Sequence, residues 1–330
     1  MPELPEVEIS ARVAGRGASG REVTQVEVTP CKLFRFPRKA GLDEQIERLA
    51  ELGIDAEVVA DPQALTDHLN GARAIGGAAT TSRYGKLMAL NFRTADDRML
   101  TLFSRLGMTG KWVRAKLRSA ADPIERAGVK LALTMQASDD RGLERLLFIN
   151  TRMFGAVWGL ISAPRSSEEE LIETARALFQ AEVKASEMGP DALELATRPE
   201  AWTAHLRTLN QSRAIKTLLL DQRAIAGVGN IYAAEGIFHA KAHPLSTLKS
   251  LTDQQLALIA EGVYDAMRFT LESADGEDEV LYGSARGEQS PFAVYGREGL
   301  ACVRCEASLV NMQISKRATV FCPRCQPAQA

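Results

Sequence analysis

The chain has 330 residues, is 45% hydrophobic and 25% charged, and carries a formal net charge of −2. That length allows two ordinary domains with buried cores, and the composition excludes a disordered or fibrous protein. No apolar run approaches a membrane span, the N-terminus lacks the basic and apolar regions of a signal peptide, and the charge excludes a globally basic nucleic-acid binder. The expected location is the cytoplasm, in association with the nucleoid in a bacterial host.

Met1-Pro2-Glu3-Leu4-Pro5-Glu6 opens the chain. Removal of Met1 would leave Pro2 as a secondary amine, able to form an iminium with a sugar carbon. Glu3 and Glu6 offer carboxylates for proton transfer beside it. Proline and glutamate at this spacing also make an ordinary helix start. Residues 7–17 predict a short helix and 21–29 a strand. Residues 42–52 and 64–69 predict helices, with loops over 53–61 and at Gly76-Gly77. From 79 to 162 short β-rich runs (87–92, 99–103, 111–113, 129–135, 146–149 and 156–161) alternate with turn signals, the pattern of an antiparallel sandwich or barrel.

Three stretches of this half could carry chemistry: Lys86 at a strand entrance, the Gly-flanked turn Arg105-Leu106-Gly107-Met108-Thr109-Gly110, and Asn150-Thr151-Arg152-Met153-Phe154-Gly155. By pattern alone a lysine at a strand end is solvated, and a methionine or aromatic fills a core.

Residues 168–182 predict an acidic amphipathic helix, and residues 164–200 hold nine acids against four bases. The break at Met188-Gly189-Pro190-Asp191 marks a boundary. The expected division is 1–163, a β-sandwich domain; 164–200, an acidic helix and linker; 201–294, a helical domain; and 295–330, a terminal hairpin. Residues 203–245 and 295–325 each carry five bases against two acids, which permits a local DNA-facing surface. Helices are expected over 214–220, 230–239 and 252–271. Gly227-Val228-Gly229-Asn230 between the first two allows a close backbone approach to an anion, and helix-start N–H groups with the Asn230 side chain suit a DNA phosphate.

Five cysteines are present. Cys31 is alone and reads as a buried or idle thiol. Cys302-x-x-Cys305 and, sixteen residues later, Cys322-x-x-Cys325 have the spacing of a four-thiolate zinc site. With no ligand position left open, one Zn2+ would fold the hairpin rather than do chemistry.

Taken in order, the leader through Val7-Glu8, the Met108 loop, the Arg152-x-Phe154 turn, the run from Leu219 to Ala233 and the cysteine hairpin resemble the formamidopyrimidine-DNA glycosylase / endonuclease VIII family. The resemblance weakens over 30–80, which is longer here and of unassigned purpose, and over 270–294, where the family has a loop that covers a flipped base. It implies an α+β multidomain fold: an N-terminal helix and antiparallel β-sandwich, a helical domain with a helix–two-turn–helix, and a zinc-finger hairpin. It implies a bifunctional glycosylase and abasic-site lyase acting on damaged double-stranded DNA, as a monomer, with no metal or nucleotide in the chemistry.

By the same resemblance, Pro2 attacks C1′ of a flipped nucleotide, and Glu3 protonates the departing base or the opened sugar. Lys86 and Arg317 lie among phosphates near the lesion, and Lys216 and Asn230 also face DNA. Met108 and Phe154 fill the space the nucleotide leaves, with Arg152 on the orphaned base. Glu235 and His243-Pro244 take structural roles. The family usually has His at 105, Asp-Pro at 150–151 and a second Arg at 153. Met108 with Arg-x-Phe resembles the branch acting on oxidised purines, including formamidopyrimidines and oxidised guanine. The alternatives are the oxidised-pyrimidine branch and a non-catalytic damage-binding homologue, the latter opposed by the intact Pro2-Glu3 pair and Lys86.

Overall fold

The computed structural model describes residues 2–35, 41–124, 126–137, 142–274 and 290–328. Met1 and most of the 280–294 loop singled out above lie outside the described residues. The chain divides into two compact units, Met1–Pro2 with Glu6–Glu187, and Glu3–Pro5 with Met188–Ala330.

The first unit contains α1 (Leu4–Ala18) from Glu6 onward, where Val7, Ala11, Ala14 and Ala18 bury one helical stripe. Two antiparallel sheets follow. One has the order β1 (Val23–Val28), β8 (Val129–Met135), β9 (Glu144–Ile149), β7 (Lys111–Lys116). The other runs β2 (Ala56–Val59), β10 (Ala156–Pro164), β6 (Arg98–Arg105), β5 (Leu87–Arg93), β3 (Arg73–Ala74), with β4 (Thr81–Tyr84) also paired to β5. Met88, Leu90, Phe92, Leu100, Leu102 and Val157 share a core with Trp112, Leu131, Leu133 and Phe148. The alternate residues are buried too. Phe103 stacks on Trp158 at 5.4 Å and on Phe179 of α4 (Glu168–Ala185) at 5.9 Å. Cover on both faces explains why β5, β6 and β10 are nearly continuous apolar runs.

The helix placed by sequence in an acidic linker is thus a wall of the first unit, because Leu171, Ala175, Leu178 and Phe179 give it an apolar face to bury. The extra 30–78 stretch builds this unit as well. α2 (Leu42–Glu51) packs on α4, and α3 (Pro62–Leu69) sends Leu65 and Leu69 into the core. Where a loop was expected over 53–61, β2 pairs with β10 from Gly159↔Val59 to Ser162↔Ala56. Its Glu57 and Val58 are exposed, so no burial pattern marks it, and a partner strand makes it a strand.

In the second unit α5 (Ala192–Ala196), α6 (Pro199–Arg207), α7 (Ile215–Leu219), α8 (Asn230–His239) and α9 (Asp253–Ser273) enclose Trp202, Ile215, Leu218, Tyr232, Ile259 and Val263, with Leu4 among them. Thr252 and Gln255 form a reciprocal capping box that starts α9. β11 (Val310–Ile314) and β12 (Arg317–Phe321) form the terminal hairpin. The architecture is the α+β arrangement expected from sequence.

Candidate active site

Pro2, Lys86, Met108, Arg152 and Phe154 belong to the first unit, and Glu3, Lys216, Asn230, Arg317 and the four paired cysteines to the second.

In the second unit the Gly-Val-Gly turn is shaped by what it receives. Gly227 adopts φ +107, and its carbonyl accepts the Leu4 N–H at 3.1 Å. A Cβ on Gly227 would lie 2.5 Å from Leu4 Cδ1, and one on Gly229 would lie 2.2 Å from Glu3 Cδ. The Glu3 carboxylate, only 1% exposed, accepts the Ile231 N–H at 3.0 Å and the Tyr232 N–H at 3.5 Å. Unpaired first-turn N–H groups and the helix dipole both favour an anion there. The sequence reading reserved these N–H groups for a DNA phosphate. The structure fills them with the chain's own carboxylate, covalently tethered and therefore present at high effective concentration.

Lys216 was expected to face DNA, yet it is wholly buried, and its ammonium donates to the Asn230 carbonyl at 2.9 Å. Burial pulls its pKa down to about 7, against the opposing pull of the Glu3 and Glu235 carboxylates. The side chain thus holds the start of α8 in place. Glu235 is buried as well, which pushes its carboxyl pKa up. It accepts the N–H groups of Ala293, Val294 and Tyr295 at 2.9, 3.0 and 2.9 Å, a structural role as expected.

Asn230 Nδ2 donates to the Ala318 carbonyl at 2.8 Å, and Thr217 Oγ1 meets Ser315 Oγ at 3.2 Å. These contacts dock the hairpin tip on α7 and α8. Ser315 and Lys316 form the two-residue turn with φ of +51 and +60, the mirror-type turn that suits strand twist, and exposed Arg317 follows directly. Glu3, Lys216, Asn230 and the Arg317 hairpin are therefore gathered around the first turn of α8.

The sulfur atoms of Cys302, Cys305, Cys322 and Cys325 all lie within 4.8 Å of one another, with 3.9 Å for Cys302–Cys325 and 3.5 Å for Cys305–Cys322. Tetrahedral zinc with Zn–S bonds of about 2.3 Å needs sulfurs about 3.8 Å apart, so the donor set fits one structural Zn2+. The knuckle is fastened to the end of α8. Arg304 donates to the Phe238 carbonyl at 2.7 Å and lies 4.3 Å over the Phe238 ring, and Gln326 donates to the Ala242 carbonyl at 2.7 Å. Cys31 is half-buried and apart from this cluster.

In the first unit Pro2 is half-buried just before α1. Gly85-Lys86 is the two-residue turn between β4 and β5, closed by the Tyr84↔Leu87 pair, with Gly85 at φ +55. The loops over 105–110 and 150–155 are knitted together. Asn150 Nδ2 donates to the Leu106 carbonyl at 3.1 Å, while its Oδ1 accepts the Met153 N–H at 2.9 Å and the Thr109 hydroxyl at 3.4 Å. Thr109 Oγ1 accepts the Arg152 N–H at 3.2 Å and the Thr151 hydroxyl at 3.3 Å. A Cβ on Gly107 would lie 2.4 Å from the Phe154 carbonyl carbon, and one on Gly155 2.3 Å from the Arg105 oxygen, so both glycines are needed for the approach. Met108 is half-buried, Arg152 is exposed, and Phe154 is 57% exposed with the Arg152 guanidinium 5.5 Å over its ring.

Sequence reasoning missed Lys32, whose ammonium lies 6.0 Å from the Phe154 ring. The Phe34↔Val157 bridge carries it there, and no local pattern marks it. It also missed Arg105 as an anchor. The guanidinium donates to Ser186 Oγ at 3.0 Å, lies 3.8 Å from the buried Glu182 carboxylate and 5.8 Å over Trp158, and is lowered in pKa by burial.

Residues 1–157 match the formamidopyrimidine-DNA glycosylase N-terminal domain, 188–280 the formamidopyrimidine-DNA glycosylase H2TH domain, and 299–328 a zinc finger found in FPG and IleRS. The chain is 32% identical to the formamidopyrimidine-DNA glycosylase of Kineococcus radiotolerans, covering 99% of this chain and 98% of that one. It is 30% identical to the enzyme of that name from Mycobacterium tuberculosis, covering 99% of each. Among solved structures it is similar to Lactococcus lactis Fpg (MutM) with FAPY-dG DNA, at 26% identity and TM-score 0.68. It is likewise similar to MutM with carbocyclic 8-oxo-G DNA, at 25% and 0.67. Each comparison covers 99% of this chain and 100% of the other.

Proposed function

The chain belongs to the formamidopyrimidine-DNA glycosylase family, and from that membership we propose that it removes oxidised purines from duplex DNA and then cuts the strand at the abasic site. One observation carries the reading. The carboxylate next to the candidate nucleophile is locked on the first turn of α8 by two N–H groups and two obligatory glycines. Fixed groups cost no reorganisation when charge develops, which is what an acid–base partner in a covalent mechanism needs.

In the proposed sequence Met1 has been removed, and the Pro2 nitrogen attacks C1′ as the C1′–N bond to the base breaks. The base leaves with a proton, which the Glu3 carboxylate relays from the attacking Pro2 nitrogen. With its proton gone, the nitrogen lone pair expels O4′ from C1′; the sugar ring opens, O4′ takes up a proton as a hydroxyl, and an iminium remains. Removal of a C2′ proton then expels the 3′ phosphate, and a second elimination expels the 5′ phosphate, so the strand opens on both sides of the sugar. Glu6 orders the amine or a water.

Exposed Arg317 and the turn-borne Lys86 offer cations to the phosphates around the lesion. Asn230 serves at the same phosphates, and Lys216 supports them from behind by holding α8. Met108, Arg152 and Phe154 take the space of the flipped nucleotide, an assignment supported by an exposed aromatic beneath a guanidinium. The zinc holds the hairpin that carries Arg317. The purine preference draws support from neighbours solved with FAPY-dG and 8-oxo-G DNA.

Borohydride trapping tests the proposal. Duplexes bearing oxidised guanine opposite cytosine, oxidised thymine or an abasic site would be treated with wild type, Pro2→Gly and Glu3→Gln. A Pro2-dependent adduct, fastest on oxidised guanine, is expected. Preference for oxidised thymine would move the chain to the pyrimidine branch. Tight binding without an adduct, once mass spectrometry has shown Met1 to be gone, would leave a non-catalytic damage binder.

A further inference from the structure

We propose that Asn150 is a positioning residue that makes the Met108 loop and the Arg152/Phe154 loop enter a duplex as one body. The inference rests on the DNA-repair reading above.

Asn150 is 0% exposed and sits where the family usually has an aspartate. Its amide uses both ends, Nδ2 on Leu106 O in the first loop and Oδ1 on Met153 N in the second. A carboxylate can only accept. Aspartate here would keep the Met153 bond but turn a negative oxygen on the Leu106 carbonyl, which already accepts the Gly110 N–H at 2.8 Å. The join made in this chain, with one donor and one acceptor, therefore depends on the amide.

The join also sets a conformation. Met153 has φ +52, a left-handed backbone that a non-glycine residue keeps only when its surroundings hold it, and Asn150 Oδ1 holds its N–H. Thr109 adds the second tie by accepting the Arg152 N–H. At the base of the first loop, Arg105 is bound to Ser186 and faces Glu182 of α4, so the pair of loops is anchored as a unit. Loops that moved independently would each pay an ordering entropy on insertion, and joined loops avoid most of it. The coupling should therefore act on duplex insertion and leave the sugar chemistry alone.

The test compares wild type, Asn150→Asp and Thr109→Val on the same abasic site in duplex and in single-stranded DNA, where there is no void to fill. Borohydride adduct formation reads the chemistry, and 2-aminopurine opposite the site reads stacking by the inserted side chains. Loss of one buried hydrogen bond predicts a duplex adduct rate about tenfold lower. The single-stranded rate should stay within about twofold and the 2-aminopurine change should shrink, since a buried bond of this kind acts only where it is formed. Thr109 is half-buried, so its variant keeps the test valid if Asn150→Asp fails to fold. Wild-type behaviour in both variants, or an equal fall on duplex and single strand, would overturn the proposal. Absence of any adduct from the wild type would mark failure of the underlying enzyme reading, whereas the fluorescence arm needs binding alone and still decides whether the loops are coupled.

Discussion

A lysine with a pKa near 7 places a proton equilibrium beside the candidate acid. Lys216 falls to about 7 in the fold against an ordinary 10.5, because burial outweighs the attraction of Glu3 and Glu235. Between those values the unfolded chain holds a proton that the folded chain lacks, so this group makes stability rise with pH across that window, and below about 7 the full cost of burying the charge remains. Urea denaturation at pH 6.5, 8 and 9.5 should show the wild type gaining stability with pH relative to Lys216→Met. Parallel curves would show that Lys216 does not titrate there. The residue was legible as one that matters, but its direction was not. A lysine that points inward and one that points outward look the same in a helix of five residues. Glu3 was legible as a carboxylate beside an amine, but its anchor on Ile231 lies 228 positions away in the chain.

At the scale of elements, the zinc hairpin was the most legible, since two C-x-x-C pairs at fixed spacing have few other uses, and metal binding supplies the folding free energy. Zinc removal by a chelator, or Cys305→Ser, should unfold β11 and β12 and release the Ala318–Asn230 bond, and strand cutting should fall to background. The first unit has its own core and should keep its β signal in circular dichroism. Added zinc should restore the chelated wild type but not the variant. Full activity of metal-free protein would refute the dependence. The strands covered on both faces were legible from their apolar runs. The edge strands β2, β3 and β4 were not, because backbone pairing with a neighbour makes them strands and their own side chains carry little signal. α5 escaped for a related reason. Five residues hold too little periodicity to read, and its start depends on Asp191 accepting the Leu193 and Glu194 N–H groups.

For the whole molecule, a net charge of −2 means that DNA affinity must come from local cations. Lys32 and Arg152 are exposed and Lys86 half-buried in the first unit, and Arg317 is exposed in the second. The two proposed phosphate contacts, Lys86 and Arg317, predict a slope of log K against log salt of about −2 in a titration of lesion duplex. A slope near zero would remove the phosphate-contact reading. A much steeper one would mean that the basic surface extends well beyond these two side chains.

The sequence alone determined the α+β class, the β-rich first half, the helices α7, α8 and α9, the zinc ligands and the family, because each is carried by local periodicity or by fixed spacing of reactive residue types. Tertiary structure decided what the turn before α8 holds, which way Lys216 faces, how Asn150 joins two loops, and that Lys32 lies beside Phe154. Those facts depend on pairs far apart in the chain. Their energies arise only when folding excludes water between them, so no local pattern records them.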